Sequence, residues 1–286
     1  MTPEEFRAAG HLLVDWIAEF REHVGELPVR AEVAPGEVRR RLPPAPPPGL
    51  ASVETLIAEL DEIVVPGLTH VQHPRNFAWF PANASLSSVL GDLASSGLGA
   101  LGLSWQSAPA LTEMEEAMLG WMGQLAGLSP QLWRGVIQDT ASTSCLVALL
   151  VARERATGFS QEADGLAGFG RPVTVYTSEQ AHTSVAKAAL LAGFGRANLR
   201  LVGCDPATFA MRPDVLARSM AADAADGCLP AAVVATIGTT ASTAIDPVAE
   251  IVEVSRRHNA FVHVDAALAG SAMLLPECAP LFEGLD

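Results

Sequence analysis

Phe261-Val-His-Val-Asp-Ala-Ala-Leu-Ala-Gly-Ser-Ala272 is the stretch on which the fold turns. Apolar and ring-bearing residues lead into one carboxylate, Asp265, and a run of small residues follows. An apolar run of this length reads as a strand buried on both faces. Three similar runs precede it, at 173–177 (Val-Thr-Val-Tyr-Thr), 199–202 and 232–236 (Ala-Val-Val-Ala-Thr). Helical patterns at about 143–157, 183–193, 213–225 and 247–258 alternate with them. Such alternation predicts an α/β fold with a mostly parallel sheet and helices on both faces. Asp246-Pro247 reads as the start of the last helix, with Asp as cap and Pro in the first helical position.

The N-terminal part is organised differently. Thr2-Pro3-Glu4-Glu5 combines a cap, a proline suited to the first turn and a capping-box glutamate. Phe6, Leu13, Trp16, Ile17 and Phe20 recur at helical spacing, so residues 3–24 are predicted as an amphipathic helix. Pro43-Pro-Ala-Pro-Pro-Pro-Gly49 excludes helix and central strand and reads as an extended connector. A second helix is predicted from Ser52 to about Val65. Two such helices bury too little surface to fold alone, so their apolar stripes need another domain or subunit. The division expected is residues 1–80, helical with a proline-rich connector, and residues 81–286, the α/β domain.

With 286 residues, 49% of them hydrophobic, the chain can bury a large core. A net charge of −14 argues against a nucleic-acid partner, because phosphate backbones want a basic surface. No apolar run is long enough to span a membrane, and Met1-Thr-Pro-Glu-Glu5 lacks the basic start and apolar stretch of a signal peptide. Cys145, Cys204, Cys228 and Cys278 are far apart and form no CxxC pair, which reads as reduced thiols rather than a disulfide framework or metal site. A cytoplasmic location is the resulting expectation.

Four strand ends carry chemistry. Ligands in open α/β sheets bind beyond the carboxyl ends of the strands. Gly135-Val-Ile-Gln-Asp-Thr-Ala-Ser-Thr-Ser144 enters a helix through small hydroxyl residues, a setting that favours phosphate and equally suits an ordinary cap. Strand 173–177 runs into Ser178-Glu-Gln-Ala-His182, whose histidine can stack on a ring or simply cap a helix. Ala231–Thr236 runs into Ile237-Gly-Thr-Thr-Ala-Ser-Thr243, where Gly238 permits close backbone approach and Thr239 or Thr240 offers a hydroxyl, as turn chemistry alone would also require. Asp265 needs a cationic or donor partner if desolvated, and a pyridinium N–H or nearby backbone amides would serve. Their order is more informative than any one of them: a phosphate end, a ring face, a hydroxyl and a ring-nitrogen acid on strand tips of one sheet.

The chain resembles the group II pyridoxal-phosphate decarboxylases, the aromatic-L-amino-acid decarboxylase family. The matching stretches are His73-Pro-Arg-Asn-Phe-Ala-Trp-Phe-Pro-Ala-Asn83, Trp105-Gln-Ser-Ala-Pro-Ala-Leu-Thr-Glu-Met-Glu115, Gln180-Ala-His-Thr-Ser-Val-Ala-Lys187, Ala235-Thr-Ile-Gly-Thr-Thr240 and His263-Val-Asp-Ala-Ala267. The resemblance implies a type I aminotransferase-like fold, pyridoxal 5'-phosphate as cofactor, and a homodimer clasped by the N-terminal helices. It further implies that Ala141 and Ser142 hold the phosphate, His182 stacks on the ring, Thr240 contacts the cofactor, Asp265 pairs with the ring nitrogen and Ala267 lies against the ring. Trp79, Phe80, Pro81 and Ala82 would line the substrate pocket, with Leu101 and Leu103 reaching into the partner's site.

In the family, the lysine that binds the cofactor lies in an Asn-Pro-His-Lys motif, and this sequence ends at Glu283-Gly-Leu-Asp286, before any such motif. The only lysine is Lys187, five residues past His182, which on a helix points about 140° away. Leu268 stands where an aromatic residue is common in the family. The activity expected is α-decarboxylation of an L-amino acid, with apolar Trp79, Phe80, Ala82 and Leu103 favouring an aromatic side chain and a further polypeptide segment supplying the lysine. The alternatives are decarboxylation coupled to oxidative deamination, a different amino-acid substrate, or a non-catalytic paralogue serving as a dimerisation or regulatory subunit.

Overall fold

A computed structural model describes residues 1–47, 49, 51–79 and 85–285, arranged as two compact units, Met1–Leu101 and Gly102–Asp286. The first unit is helical. Its α1, Pro3–His23, carries the capping box: Glu5 N donates to Thr2 Oγ1 at 3.2 Å, and Thr2 N donates to Glu5 Oε2 at 2.6 Å. Trp16 stacks on Phe20 at 5.7 Å, and its indole N–H donates to Asp61 Oδ1 at 2.8 Å. Phe20 in turn meets the buried His70 ring at 5.8 Å. These contacts give the α1 stripe a partner within its own unit. A short α2, Glu37–Arg41, precedes the connector, whose described residues are neither helix nor strand. The second predicted helix begins as expected, with Ser52 capping α3, Val53–Glu59. It then widens into a π turn at Leu60–Val64 and tightens at Val65–Gly67, where Pro66 lacks the N–H needed to continue it. The last helix of the unit, α4, spans Leu86–Leu98.

The second unit is α/β. It begins with α5 (Pro109–Leu125), α6 (Ala141–Thr157) and α7 (Gln161–Gly168). Then β1 (Val173–Ser178), α8 (Thr183–Leu191), β2 (Leu199–Val202), α9 (Pro213–Ala225), β3 (Leu229–Thr236), α10 (Val248–Arg256) and β4 (Phe261–Asp265) alternate. All pairings are parallel, in the order β2-β1-β3-β4. Alternate residues face opposite sides of each strand. Val175, Ala232 and Val234 pack with Leu149 of α6 and Val185 of α8 on one face. Tyr176, Val233 and Ala235 pack with Leu216 of α9 and Ile251 of α10 on the other. The predicted three-layer α/β architecture is therefore present, with each predicted strand found in place.

Two local readings differ. Helix α6 starts at Ala141, two residues before the predicted start, because Thr140 turns its hydroxyl onto Thr143 N at 3.2 Å. Asp246 does not cap α10. Its carboxylate accepts Met211 N at 2.7 Å and Thr236 N at 2.8 Å, so it ties the loop after β2 to the tip of β3. On the α9 face Tyr176 donates to Asp223 at 2.5 Å, and Arg200 grips both oxygens of the same carboxylate.

Candidate active site

Parallel strands bring their carboxyl ends to one rim, so the loops after β1, β3 and β4 lie together with the N-terminus of α6. At that N-terminus, Thr140 Oγ1 satisfies Thr143 N, and Ser144 N donates to Thr140 O. The amides of Ala141 and Ser142 occupy the first turn, where a helix has no internal acceptor to offer them. Both residues are exposed. A phosphate fits there by charge and by donor count.

His182 caps α8. Its Nδ1 accepts Ser184 N at 3.2 Å and lies 2.9 Å from Ser184 Oγ. Capping and stacking are compatible here, because the cap uses the ring edge and the ring remains exposed.

The loop after β3 closes on itself through an Ile237–Ile245 bridge. Thr239 is buried inside it, accepting Ala244 N at 2.9 Å and meeting Ser242 Oγ at 2.7 Å. Thr240 stands exposed at the loop tip. Gly238, at φ +88°, is packed under the segment after β4: a Cβ there would lie 3.0 Å from Leu268 Cδ2 and 3.1 Å from Ala269 Cβ.

Asp265 is half-buried, and its Oδ1 accepts Ala267 N at 3.1 Å. It shares a face with Phe261 and His263 by strand alternation, the face that α6 covers. Burial pushes the His263 imidazole below the usual histidine range, and Asp265 acts in the opposite sense. Cys145, one turn beyond Ser142, has its thiol pushed up to about 12, first by burial and then by the negative charge of Asp265. The open first turn of α6 and the acid thus lie on adjoining elements. Beside Asp265 in register is Thr236, whose buried Oγ1 has no hydrogen-bond partner. Donors at one end, a carboxylate at the other and an unspent hydroxyl beside that carboxylate fit pyridoxal phosphate.

Lys187 is exposed on α8, opposite the buried Val185, Ala188 and Ala189. Trp79 is exposed at φ 56°, and Leu101 and Leu103 are exposed in the first and second unit respectively. Phe80, Pro81 and Ala82 lie outside the described residues. Sequence reading missed Thr236, His263, Cys145 and the buried role of Asp246. The two-residue period of 261–265 marks His263 as sharing Asp265's face, whereas nothing local marks the others.

Residues 35–286 match the family model for the pyridoxal-dependent decarboxylase conserved domain. The chain belongs to that family. It is 35% identical over 300 residues to tyrosine decarboxylase of Papaver somniferum, covering all of this chain and 57% of that protein. Among solved structures it is similar to Oryza sativa TDC with PLP and tryptamine, with TM-score 0.92, 38% identity, and coverage of 99% of this chain and 62% of that one. It is also similar to Rhodiola rosea 4-hydroxyphenylacetaldehyde synthase, with TM-score 0.93, 32% identity, and coverage of 100% and 62%. The chain thus spans a little over half the length of these relatives, and its fold is that of the pyridoxal-phosphate decarboxylases.

Proposed function

We propose that the chain forms the cofactor-binding part of a pyridoxal-phosphate-dependent decarboxylase that converts an aromatic L-amino acid to its amine and carbon dioxide. The observation that carries this reading is the pairing of an open helix N-terminus, at Ala141 and Ser142, with a strand-tip acid, Asp265, felt by Cys145 of the same helix. When bound, the cofactor offers an aldehyde for the substrate amine and a protonated ring that takes up the electron pair of the breaking carboxyl bond.

The chain's own residues do the rest. Ala141 and Ser142 bind the phosphate through main-chain amides. Asp265 holds the proton on the ring nitrogen, an ion pair strengthened by its half-buried setting. His182 would stack on the ring, Ala267 would lie against it, and Thr240 would supply a hydroxyl contact. Trp79, Phe80, Pro81, Ala82, Leu101 and Leu103 exclude water from the substrate side chain, the last two across a homodimer. The lysine comes from a segment outside this sequence, because Lys187 lies on the exposed side of α8. We assign the protein to the cytoplasm on its free thiols. The names of the relatives favour aromatic substrates: tyrosine decarboxylase acts on an aromatic amino acid, and the rice structure holds tryptamine.

The position of Lys187 also supports a second reading, a non-catalytic dimerisation subunit that retains the cofactor site. Carbon dioxide release from carboxyl-labelled tyrosine, tryptophan and phenylalanine separates the two, measured on the chain with pyridoxal phosphate and with a lysine-bearing polypeptide continuing the family sequence. Release with that polypeptide supports the decarboxylase. Cofactor binding without release in either sample supports the subunit, and absence of cofactor binding sinks both.

A further inference from the structure

We propose that Thr236 is a positioning residue for Asp265, its hydroxyl donating to the second oxygen of that carboxylate as the acid meets a cofactor ring nitrogen. The inference rests on the site reading above and adds a residue to it. Thr236 and Asp265 are register partners at the tips of β3 and β4 and point to the same face. Adjacent strands lie about 4.8 Å apart, so a turn about one side-chain bond joins a hydroxyl to a neighbouring carboxylate.

Thr236 is 4% exposed, and its Oγ1 is buried without a hydrogen-bond partner. A buried hydroxyl without a partner gives up its hydration uncompensated, so its retention calls for an explanation. Thr177, on β1 and the same face, shows the ordinary solution: its hydroxyl donates to Val234 O across the strands at 3.1 Å. Thr236 makes no such bond. Its backbone is nonetheless held firmly, with its amide donated to Asp246 at 2.8 Å and the next amide, Ile237 N, donated to Asp265 O at 2.9 Å. Meanwhile Asp265 Oδ1 takes Ala267 N, and Oδ2 accepts from no described residue. One donor and one acceptor are thus left over side by side on two anchored strand tips. The other titratable groups on this face are His263 of β4 and Cys145 of α6. Neither of them is the register partner of Asp265, as Thr236 is.

The test compares the full chain with Thr236→Val, which keeps the shape and removes the hydroxyl, and Thr236→Ser, which keeps the hydroxyl. Two ligands are titrated by tryptophan fluorescence: pyridoxal phosphate and its 1-deaza analogue, which has no ring nitrogen for Asp265 to meet. The expected result is about tenfold weaker binding of pyridoxal phosphate by Thr236→Val, little change for the deaza analogue, and recovery in Thr236→Ser, a tenfold change being one decade of the binding constant. In the free protein, the Asp265 carboxyl carbon resonance moves in Thr236→Val and returns in Thr236→Ser. Equal weakening of both ligands, or an Asp265 resonance indifferent to the hydroxyl, overturns the inference. Failure of the wild-type chain to prefer pyridoxal phosphate over the deaza analogue overturns instead the role of Asp265, and the resonance measurement still decides the Thr236–Asp265 contact.

Discussion

Asp246 accepts the main-chain amide of Thr236 at 2.8 Å, and through it the buried loop ahead of α10 fixes the tip of β3 beside the acid of β4. Asp246 is 1% exposed, and burial raises its carboxyl above the ordinary 3.8, with the Met211 and Thr236 amides opposing the rise. An acid whose folded value is raised binds more protons folded than unfolded. Between pH 3.8 and the raised value, its contribution to stability therefore falls as pH rises. Asp246→Asn is expected to flatten that part of the stability–pH curve in urea titrations. Asp246→Ala strands two buried amides and is expected to cost about 2–4 kcal/mol.

Removing the strand-tip acid tests the chemistry directly. In a preparation supplied with the lysine-bearing segment, Asp265→Ala is expected to lose about 3–5 kcal/mol of transition-state stabilisation, by analogy with a broken buried ion pair. That corresponds to a fall in carbon dioxide release of about 10²–10⁴-fold. Turnover within threefold of wild type would remove Asp265 from the reaction.

Cys145 reports the same acid from the other side. With its thiol pushed up to about 12, it is almost wholly protonated near neutrality and is expected to resist alkylation. Cys204, Cys228 and Cys278 are less buried and should label first. Asp265→Asn removes the second cause of the rise, so the pH at which Cys145 begins to react should move down. Peptide mass spectrometry after timed iodoacetamide exposure measures both effects.

Gly238 marks a close backbone passage. At φ +88° with Leu268 and Ala269 atoms 3.0–3.1 Å from where a Cβ would stand, Gly238→Ala meets backbone strain and crowding together. A loss of about 1–3 kcal/mol is expected in chemical denaturation. Because the displaced segment carries Ala267, pyridoxal phosphate should also bind more weakly. An alanine variant as stable as wild type would show that the 266–269 segment yields freely.

Much of the architecture was legible locally. Alternating apolar runs and helical periods announced a parallel sheet, since strand–helix–strand units return each strand in the same direction. The run ending at Asp265 located the acid because its apolar residues mark a strand, and the carboxyl end of a strand in a parallel sheet is where a ligand binds. His182 and Asp246 were visible as residues but not as partners. A capping histidine and a stacking histidine look alike in sequence, and Asp before Pro reads as a helix cap until the fold offers it two better amides.

By itself the sequence determined the class of fold and the carboxyl-end rim that carries Asp265, because these follow from periods of two and 3.6 along the chain. The tertiary structure alone decided which hydroxyl and which thiol stand beside that acid. The sheet order β2-β1-β3-β4 sets β3 between two strands that are not both its neighbours in sequence. Side-chain partnership across such a sheet depends on register in space, and no local pattern of residues carries that register.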